Sequence, residues 1–309
     1  MVQVVDQCVD RAVYLLNSGP AAAPSAALYL GGLHNKNNLL SMDMGGTSFD
    51  VCVIKDGEIP TTTESWVGEH RVAIKMVDVP TVGAGGGSLA RIDSLGLLRV
   101  GPQSAGADPG PAAYGKGEEA AVTDADLVLG YIPADYFLGG DIKLDVARAH
   151  EAVARVGGKL NMDVNQAAQA MFTTINTVMS DLITEVCTKQ GHDVRDFTLV
   201  AGGGAGGIHA AAIARQLSIP MVIVPRVAAL MSAFGMFAKD LGLEYARSCF
   251  RSQKQLDVAE IGGLYADMRR QAREDFERIG IPESQMSYQP TVEMRYAGQF
   301  HEVEVDMPA

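Results

Sequence analysis

The chain is predicted to adopt an α/β fold, and three observations carry that prediction. Residues 39–54 read as two apolar strands about a Gly-Gly turn, and residues 165–190 carry a long apolar stripe at helical spacing. Residues 197–224 run strand, glycine loop, helix, strand, an order that implies a parallel pair joined by a crossover helix. With 309 residues, 47% of them apolar, a substantial core can form and there is room for two domains.

The elements follow from local signals. Residues 1–16 place Val5, Val9, Val13 and Leu16 on one helical face, and Asn17-Ser18-Gly19-Pro20 ends that helix. An alanine-rich helix follows from Ser25 to Leu30, then the hairpin 39–54, with Asp56-Gly57 turning it toward Glu58-Ile59. Residues 71–79 read as another strand closed by Pro80. The segment Val82-Gly83-Ala84-Gly85-Gly86-Gly87-Ser88 leads into short strands around Ile92 and Leu97-Leu98. Residues 101–117 (GPQSAGADPGPAAYGKG) have no periodicity, and so long a loop inside a packed domain either lines a site or is structural.

A helix is expected from Asn165 to Gln190, with Met171, Ile175, Val178, Leu182 and Val186 inward and Gly191 at its end. Its methionines read as core filler. Phe197–Ala201 and Met221–Val224 are the flanking strands of the crossover, with a helix from Ile208 to Leu217. From Gln253 the chain is more charged: a helix to Gly280 precedes two alternating strands, Thr291–Tyr296 and Gln299–Val305, joined at Ala297-Gly298. That hairpin reads as the opening of a further domain.

The charge balance narrows the function classes. Basic residues number 25 against 37 acidic ones, a net charge of −12, and there is no basic run. Nucleic acid and anionic membrane are therefore poor partners. Cys8, Cys52, Cys187 and Cys249 lack CxxC spacing and fit reduced thiols. No apolar run reaches membrane-spanning length and no signal peptide opens the chain, so a soluble, cytoplasmic protein is expected.

The chemistry-bearing residues gather in glycine-rich turns. In residues 43–48, Gly45 and Gly46 let backbone N–H groups approach a bound anion, and Thr47 and Ser48 add hydroxyl donors. Asp43, at the strand end, is placed to hold a metal ion or orient a water. The alternative is a turn built of turn residues. The second loop, Gly202 to Gly207, satisfies G-x-G-x-x-G between strand and helix. A dinucleotide fold also needs an acid after the next strand, and here Val224 is followed by Pro225-Arg226. The same loop serves equally to lay backbone against adenine and ribose. His209, just after it, either donates to a phosphate or caps and packs. Asp124 and Asp126 either cap a helix start or orient substrate or magnesium. No HExxH or Gly-x-Ser-x-Gly pattern is present.

Taken in order, DMGGTSFDV (43–51), VGAGGGSLARID (82–93), residues 101–117, VTDADLVLG (122–130), LVAGGGAGGIHA (199–210) and RYAGQFHEVEV (295–305) resemble the hydantoinase A/oxoprolinase family. The resemblance covers nearly the whole chain. It implies a ribonuclease H-like lobe of the actin/hexokinase-like ATPase superfold over residues 1–250, with a partial, β-containing C-terminal extension over 251–309. It implies ATP and Mg2+ as cofactors, a cyclic amide or carbonyl compound as substrate, and a second, B-type subunit or domain as partner.

By the same resemblance, Asp43, Gly45, Gly46, Thr47 and Ser48 form a phosphate loop, with Asp43 toward the metal. Gly202, Gly203, Gly204, Gly206 and Gly207 resemble the adenosine loop, with His209 a further cofactor-binding candidate; Asp108 to Tyr114 and Asp124 fall in family motifs without an assigned role, and Asp43 and Asp124 are the catalytic candidates. The resemblance further implies an earlier lobe with its own Asp-x-Gly-Gly-Thr hairpin, of which this chain has one, so it is expected to be a central piece and inactive alone. Three functions stay open: ATP-dependent hydrolysis of a cyclic amide (or the related ketone carboxylation), a small-molecule kinase of the same superfold, and a non-catalytic scaffold.

Overall fold

The structure, a computed structural model, describes residues 8–9, 12–67, 69–72, 74–299 and 301–307. By its contacts the chain divides into Val2–Asp240 and Leu241–Ala309.

The larger unit is built on β1 (Leu39–Met44) and β2 (Phe49–Ile54), paired antiparallel across the Gly-Gly turn. Four short strands follow, β3 (Thr61–Thr62), β4 (Ser65–Val67), β5 (His70–Val72) and β6 (Met76–Val77), then β7 (Thr81–Val82), β8 (Ser88–Ile92) and β9 (Leu98–Ser104). β10 (Thr198–Gly202) and β11 (Met221–Ile223) are parallel to β1 and to each other, and the central sheet runs β11-β10-β1-β2-β7. A parallel half beside an antiparallel meander is the ribonuclease H-like arrangement that the resemblance implies.

The helices of this unit are α1 (Ala23–Gly32), α2 (Val122–Val128), α3 (Val146–Leu160), α4 (Val164–Lys189), α5 (Gly206–Leu217) and α6 (Met231–Phe237). Leu40, Met42 and Met44 face one buried cluster with Met171, Ile175, Met179 and Ile183 of α4. Leu39, Cys52, Ile54 and Val200 face the other, with Ala23, Ala26 and Ala27 of α1 and Met231 of α6. Helices on both faces explain why β1 reads as a continuous apolar run. In the smaller unit, α7 (Val258–Arg278) is capped by Asp257, and β12 (Thr291–Met294) pairs antiparallel with β13 (Val303–Asp306).

Three expectations shift. The 1–16 helix falls mostly outside the described residues, Val5 among them, and Ala12–Leu15 is a single 3-10 turn. The strand expected over 71–79 is two short pieces, because β5 pairs back on β4 while β6 pairs with β3. On α4, Met179 and Ile183 are fully buried, whereas Val178 and Leu182 are half-buried. That helix packs at once on the sheet, α2, α3 and α5, so its inward face is wider than one stripe.

Two predictions follow from this packing. A Cβ at Gly235 would lie 1.9 Å from the Ala22 carbonyl oxygen, where α6 crosses the start of α1. Gly235→Ala should therefore cost about 1–3 kcal/mol in urea unfolding, despite its better helix propensity. Burial pushes the Cys52 thiol up to about 12 and the Cys187 thiol up to about 11, while Cys249 is exposed. A maleimide at neutral pH should modify Cys249 first and reach Cys52 and Cys187 only after denaturation, read by mass spectrometry.

Candidate functional site

The pairing of β1 between β2 and β10 sets the site at one end of the sheet. Asp43 stands opposite Asp50 across the hairpin and opposite Gly202 on the parallel side. The turn between Asp43 and Asp50 is closed by the Gly45 N–H donating to Ser48 O, 3.1 Å. Among the described residues the Gly46 and Thr47 N–H groups have no carbonyl acceptor, and both residues are exposed. Successive backbone N–H groups without a backbone acceptor are of the kind that holds anions.

The second glycine loop lies directly against the first. Gly203 has φ +82, and a Cβ on it would sit 2.2 Å from Met44 O and 2.5 Å from Asp43 Oδ1. Glycine is required there on both counts. The Ala205 N–H donates to Met44 O at 3.1 Å, and the Gly203 N–H to Ala228 O at 2.8 Å. Gly206 and Gly207 then open α5, whose first-turn N–H groups have no acceptor within the helix. The structure thus sets Gly202, Gly203 and Gly206 against Asp43 and Met44 at the start of the 45–48 turn, whereas Gly204 has no neighbour within 4 Å of its Cβ position and Gly207 lies against Val224.

A third glycine segment braces the first from behind. The Gly86 N–H donates to Gly45 O (3.0 Å) and the Gly87 N–H to Gly46 O (2.7 Å). A Cβ at Gly85 would fall 2.5 Å from the Thr47 nitrogen, so backbone lies on backbone. The chain of bonds continues outward: Thr123 donates through N–H and Oγ1 to Gly86 O, and the Ala105 N–H donates to Gly87 O.

The carboxylates differ in their surroundings. The Ser232 hydroxyl donates to Asp43 Oδ2 at 3.0 Å, and Thr81 donates to Asp50 Oδ1. Burial pushes the Asp43 carboxyl above its ordinary value, and the Ser232 hydroxyl opposes it. Burial likewise raises Asp50, with Thr81 opposing and the charge of Asp43 adding to the rise. Two half-buried carboxylates suit Mg2+, which takes one or two carboxylates and fills its remaining positions with phosphate oxygens and waters. No group of three or more His, Cys, Asp or Glu that could hold a metal exists among the described residues. The Asp43 and Asp50 carboxylates are oxygen donors that fit a cation taking few protein ligands.

Two candidate residues sit elsewhere. Asp124 is fully buried, and its carboxylate accepts from the N–H groups of Ala112 (3.1 Å), Ala113 (2.7 Å) and Ala121 (2.8 Å). That is a cap extended into a clamp on the 101–121 loop. Burial raises its carboxyl above the ordinary value, the three N–H groups opposing. His209, expected beside the adenosine loop, is corrected to the interior. Its ring is fully buried and stacked on Phe172, with Nδ1 2.9 Å from Asn176 Oδ1, so no face is left for a phosphate.

Sequence reasoning missed Asp50, Thr81 and Ser232 as site residues. Asp50 was within reach, since a symmetric hairpin turn over 45–48 pairs 44 with 49 and so 43 with 50. Ser232 carried no signal, because it arrives from 189 residues away in sequence.

The comparisons with known proteins agree with this architecture. The chain is 36% identical over 303 residues to caprolactamase subunit alpha of Pseudomonas jessenii, covering 96% of this chain and 44% of that protein. It is 34% identical over 302 residues to 5-oxoprolinase 1 of Arabidopsis thaliana, covering 91% of this chain and 24% of that one. The nucleotide-free structure of acetone carboxylase superposes with a TM-score of 0.82 at 30% identity, over 94% of this chain and 42% of that chain. The chain thus spans less than half the length of these relatives. No helix among the described residues is long and apolar enough to cross a membrane. Residues 2–245 match the hydantoinase/oxoprolinase family and residues 249–309 its C-terminal domain, and the chain belongs to that family.

Proposed function

We propose that this chain supplies the phosphate- and adenosine-binding loops of an ATP-dependent enzyme that opens a hydantoin- or oxoproline-like cyclic amide. The observation that carries the reading is the convergence of two glycine loops on Asp43 at one end of the sheet. The named relatives, a caprolactamase subunit and a 5-oxoprolinase, support a lactam as substrate.

The chemistry follows from the weakness of an amide as an electrophile. The amide oxygen attacks the γ-phosphorus, forming an O–P bond while the bond to the β-phosphate oxygen breaks and ADP departs. Water then adds to the activated carbon, the ring C–N bond breaks with the nitrogen taking a proton to leave an acyl phosphate, and a second water releases inorganic phosphate and the free carboxylate. In this scheme the Gly46 and Thr47 N–H groups and the Thr47 and Ser48 hydroxyls hold phosphate oxygens. Asp43 holds Mg2+, which neutralises phosphate charge when bound. Gly202–Gly207 lies along the adenosine. Asp124 acts as a positioning residue, holding the 101–121 loop to the braced hairpin rather than touching the reacting atoms.

We assign residues 1–250 to the ATPase lobe and 251–309 to the C-terminal portion, and place the protein in the cytoplasm. The name "subunit alpha" of the caprolactamase relative supports a second, B-type subunit as partner. The likeness to acetone carboxylase favours a second reading, in which the activated oxygen belongs to a ketone and the carbon is carboxylated.

Calorimetric titration with Mg-ATP tests the site. Wild-type protein should bind, Asp43→Ala should bind about tenfold more weakly, and Gly203→Ala should lose binding, because its Cβ would collide with Met44 O and the Asp43 carboxylate. Wild-type protein silent at millimolar Mg-ATP sinks the proposal. Phosphate release from the protein with its partner subunit separates the two readings. Stimulation by 5-oxoproline, hydantoin or caprolactam supports the hydrolase, and stimulation only by a ketone with bicarbonate supports the carboxylase.

A further inference from the structure

The interior of the larger unit holds a polar cluster that the proposed chemistry does not use. His209 of α5, Asp126 of α2 and Asn176 of α4 are all buried, at 0%, 1% and 3% exposure. His209 Nδ1 lies 2.9 Å from Asn176 Oδ1, and His209 Nε2 lies 3.4 Å from Asp126 Oδ2. Phe172 covers the ring at a centroid distance of 4.8 Å, and Tyr131 packs on Phe172. Two of the cluster's atoms, Asp126 Oδ1 and His209 Nε2, have no hydrogen-bond partner.

Such a cluster is costly in a core, where an apolar trio of the same volume would pack without orphaned atoms. Its hydrogen-bond logic is also specific. Nδ1 faces the Asn176 amide oxygen at 2.9 Å while Nε2 faces the Asp126 carboxylate at 3.4 Å, so each edge of the ring meets one particular polar group. The contact is thus directional where a packed apolar contact would be free to slide.

The three elements it joins are those that carry the site. α5 begins at Gly206 and is continuous with the Gly202–Ala205 turn that lies on Met44 and Asp43. α2 carries Thr123, which bonds Gly86 behind the phosphate turn, and Asp124, which clamps Ala112, Ala113 and Ala121. α4 is the long helix between them, beneath the sheet.

We propose that His209, Asp126 and Asn176 are positioning residues that fix the register of the second glycine loop against the braced phosphate turn, so that the two loops open and close as one unit. The coupling is a property of this chain's interior. Its consequence for nucleotide affinity rests on the function proposed above.

Amide hydrogen exchange on the full chain tests the coupling without any ligand. In Asp126→Leu, exchange should rise about tenfold at Gly203 and Ala205 and at Ala112 and Ala113, with the strand amides of Leu40 and Val53 unchanged. Asp126→Asn, which keeps a polar partner for Nε2, should restore protection at both loops. Asn176→Ala is the second variant if Asp126→Leu does not fold, and it should loosen the same two loops. Exchange that rises evenly over the whole unit, or at α2 alone, overturns the proposal, as does a failure of Asp126→Asn to restore it. In parallel, Mg-ATP should bind about tenfold more weakly to Asp126→Leu than to Asp126→Asn. Wild-type protein that does not bind Mg-ATP counts against the proposed function and leaves the exchange result to decide the coupling.

Discussion

Most of this structure depends on the parallel pairing of β1 with β10. These strands lie some 160 residues apart, and their register sets Asp43 beside Gly202. Nothing in either loop alone makes a site. The hairpin turn is a cluster of donors open to solvent, and the Gly202–Gly207 loop is an ordinary strand-to-helix transition. Side by side, they meet at Asp43 and Met44, and the glycine at 203 allows their backbones to approach to a distance that any Cβ would forbid. Long-range pairing of this kind is entropically costly and is secured here by burial on both faces of the sheet.

Rigidity at the phosphate turn has a second origin. An isolated Gly-Gly turn loses much conformational entropy on ordering. Here the cost is met by a second backbone segment laid against it, where Gly86 and Gly87 donate to the carbonyls of Gly45 and Gly46. The bonds to those carbonyls hold the turn's backbone in place while the Gly46 and Thr47 N–H groups make no backbone bond among the described residues. The glycines of 85–87 are therefore as much a part of the site as those of 45–46, though none of them faces a ligand. The same logic explains the apparently formless 101–117 segment, which is tied through Ala105 to Gly87 and through Ala112 and Ala113 to Asp124.

How far the sequence showed this depends on the range of each interaction. The hairpin, the crossover unit, α4 and the terminal hairpin were legible because alternation, helical spacing and turn residues are local signals. The convergence of the loops was readable only through resemblance, since periodicity says nothing about which strand neighbours which. His209 shows the limit most clearly. A histidine in the first turn after a glycine loop has the position of a phosphate donor, yet its side chain points back along the helix onto α4, where Phe172 and Asn176 receive it. Ser232 shows the converse, a hydrogen-bond partner of Asp43 delivered by tertiary packing with no mark in the sequence.

Asp124 and Asp126 carry this distinction further, because they share a sequence context and differ in what burial does with them. Both lie in a seven-residue helix and both are buried. Asp124 meets three N–H groups, which spread its charge over a preformed cradle and oppose, without cancelling, the rise that burial imposes. Asp126 meets a single imidazole edge and keeps one oxygen unpartnered. A fold selecting for stability alone would replace the second by an apolar residue and keep the first. That the costly member joins α2 to α5, while the well-satisfied member joins α2 to the 101–121 loop, makes this short helix the hinge-pin between the segments that frame the site. In the proposed reading its two carboxylates serve geometry: one fixes a loop by satisfying its backbone, the other faces the imidazole of the neighbouring helix.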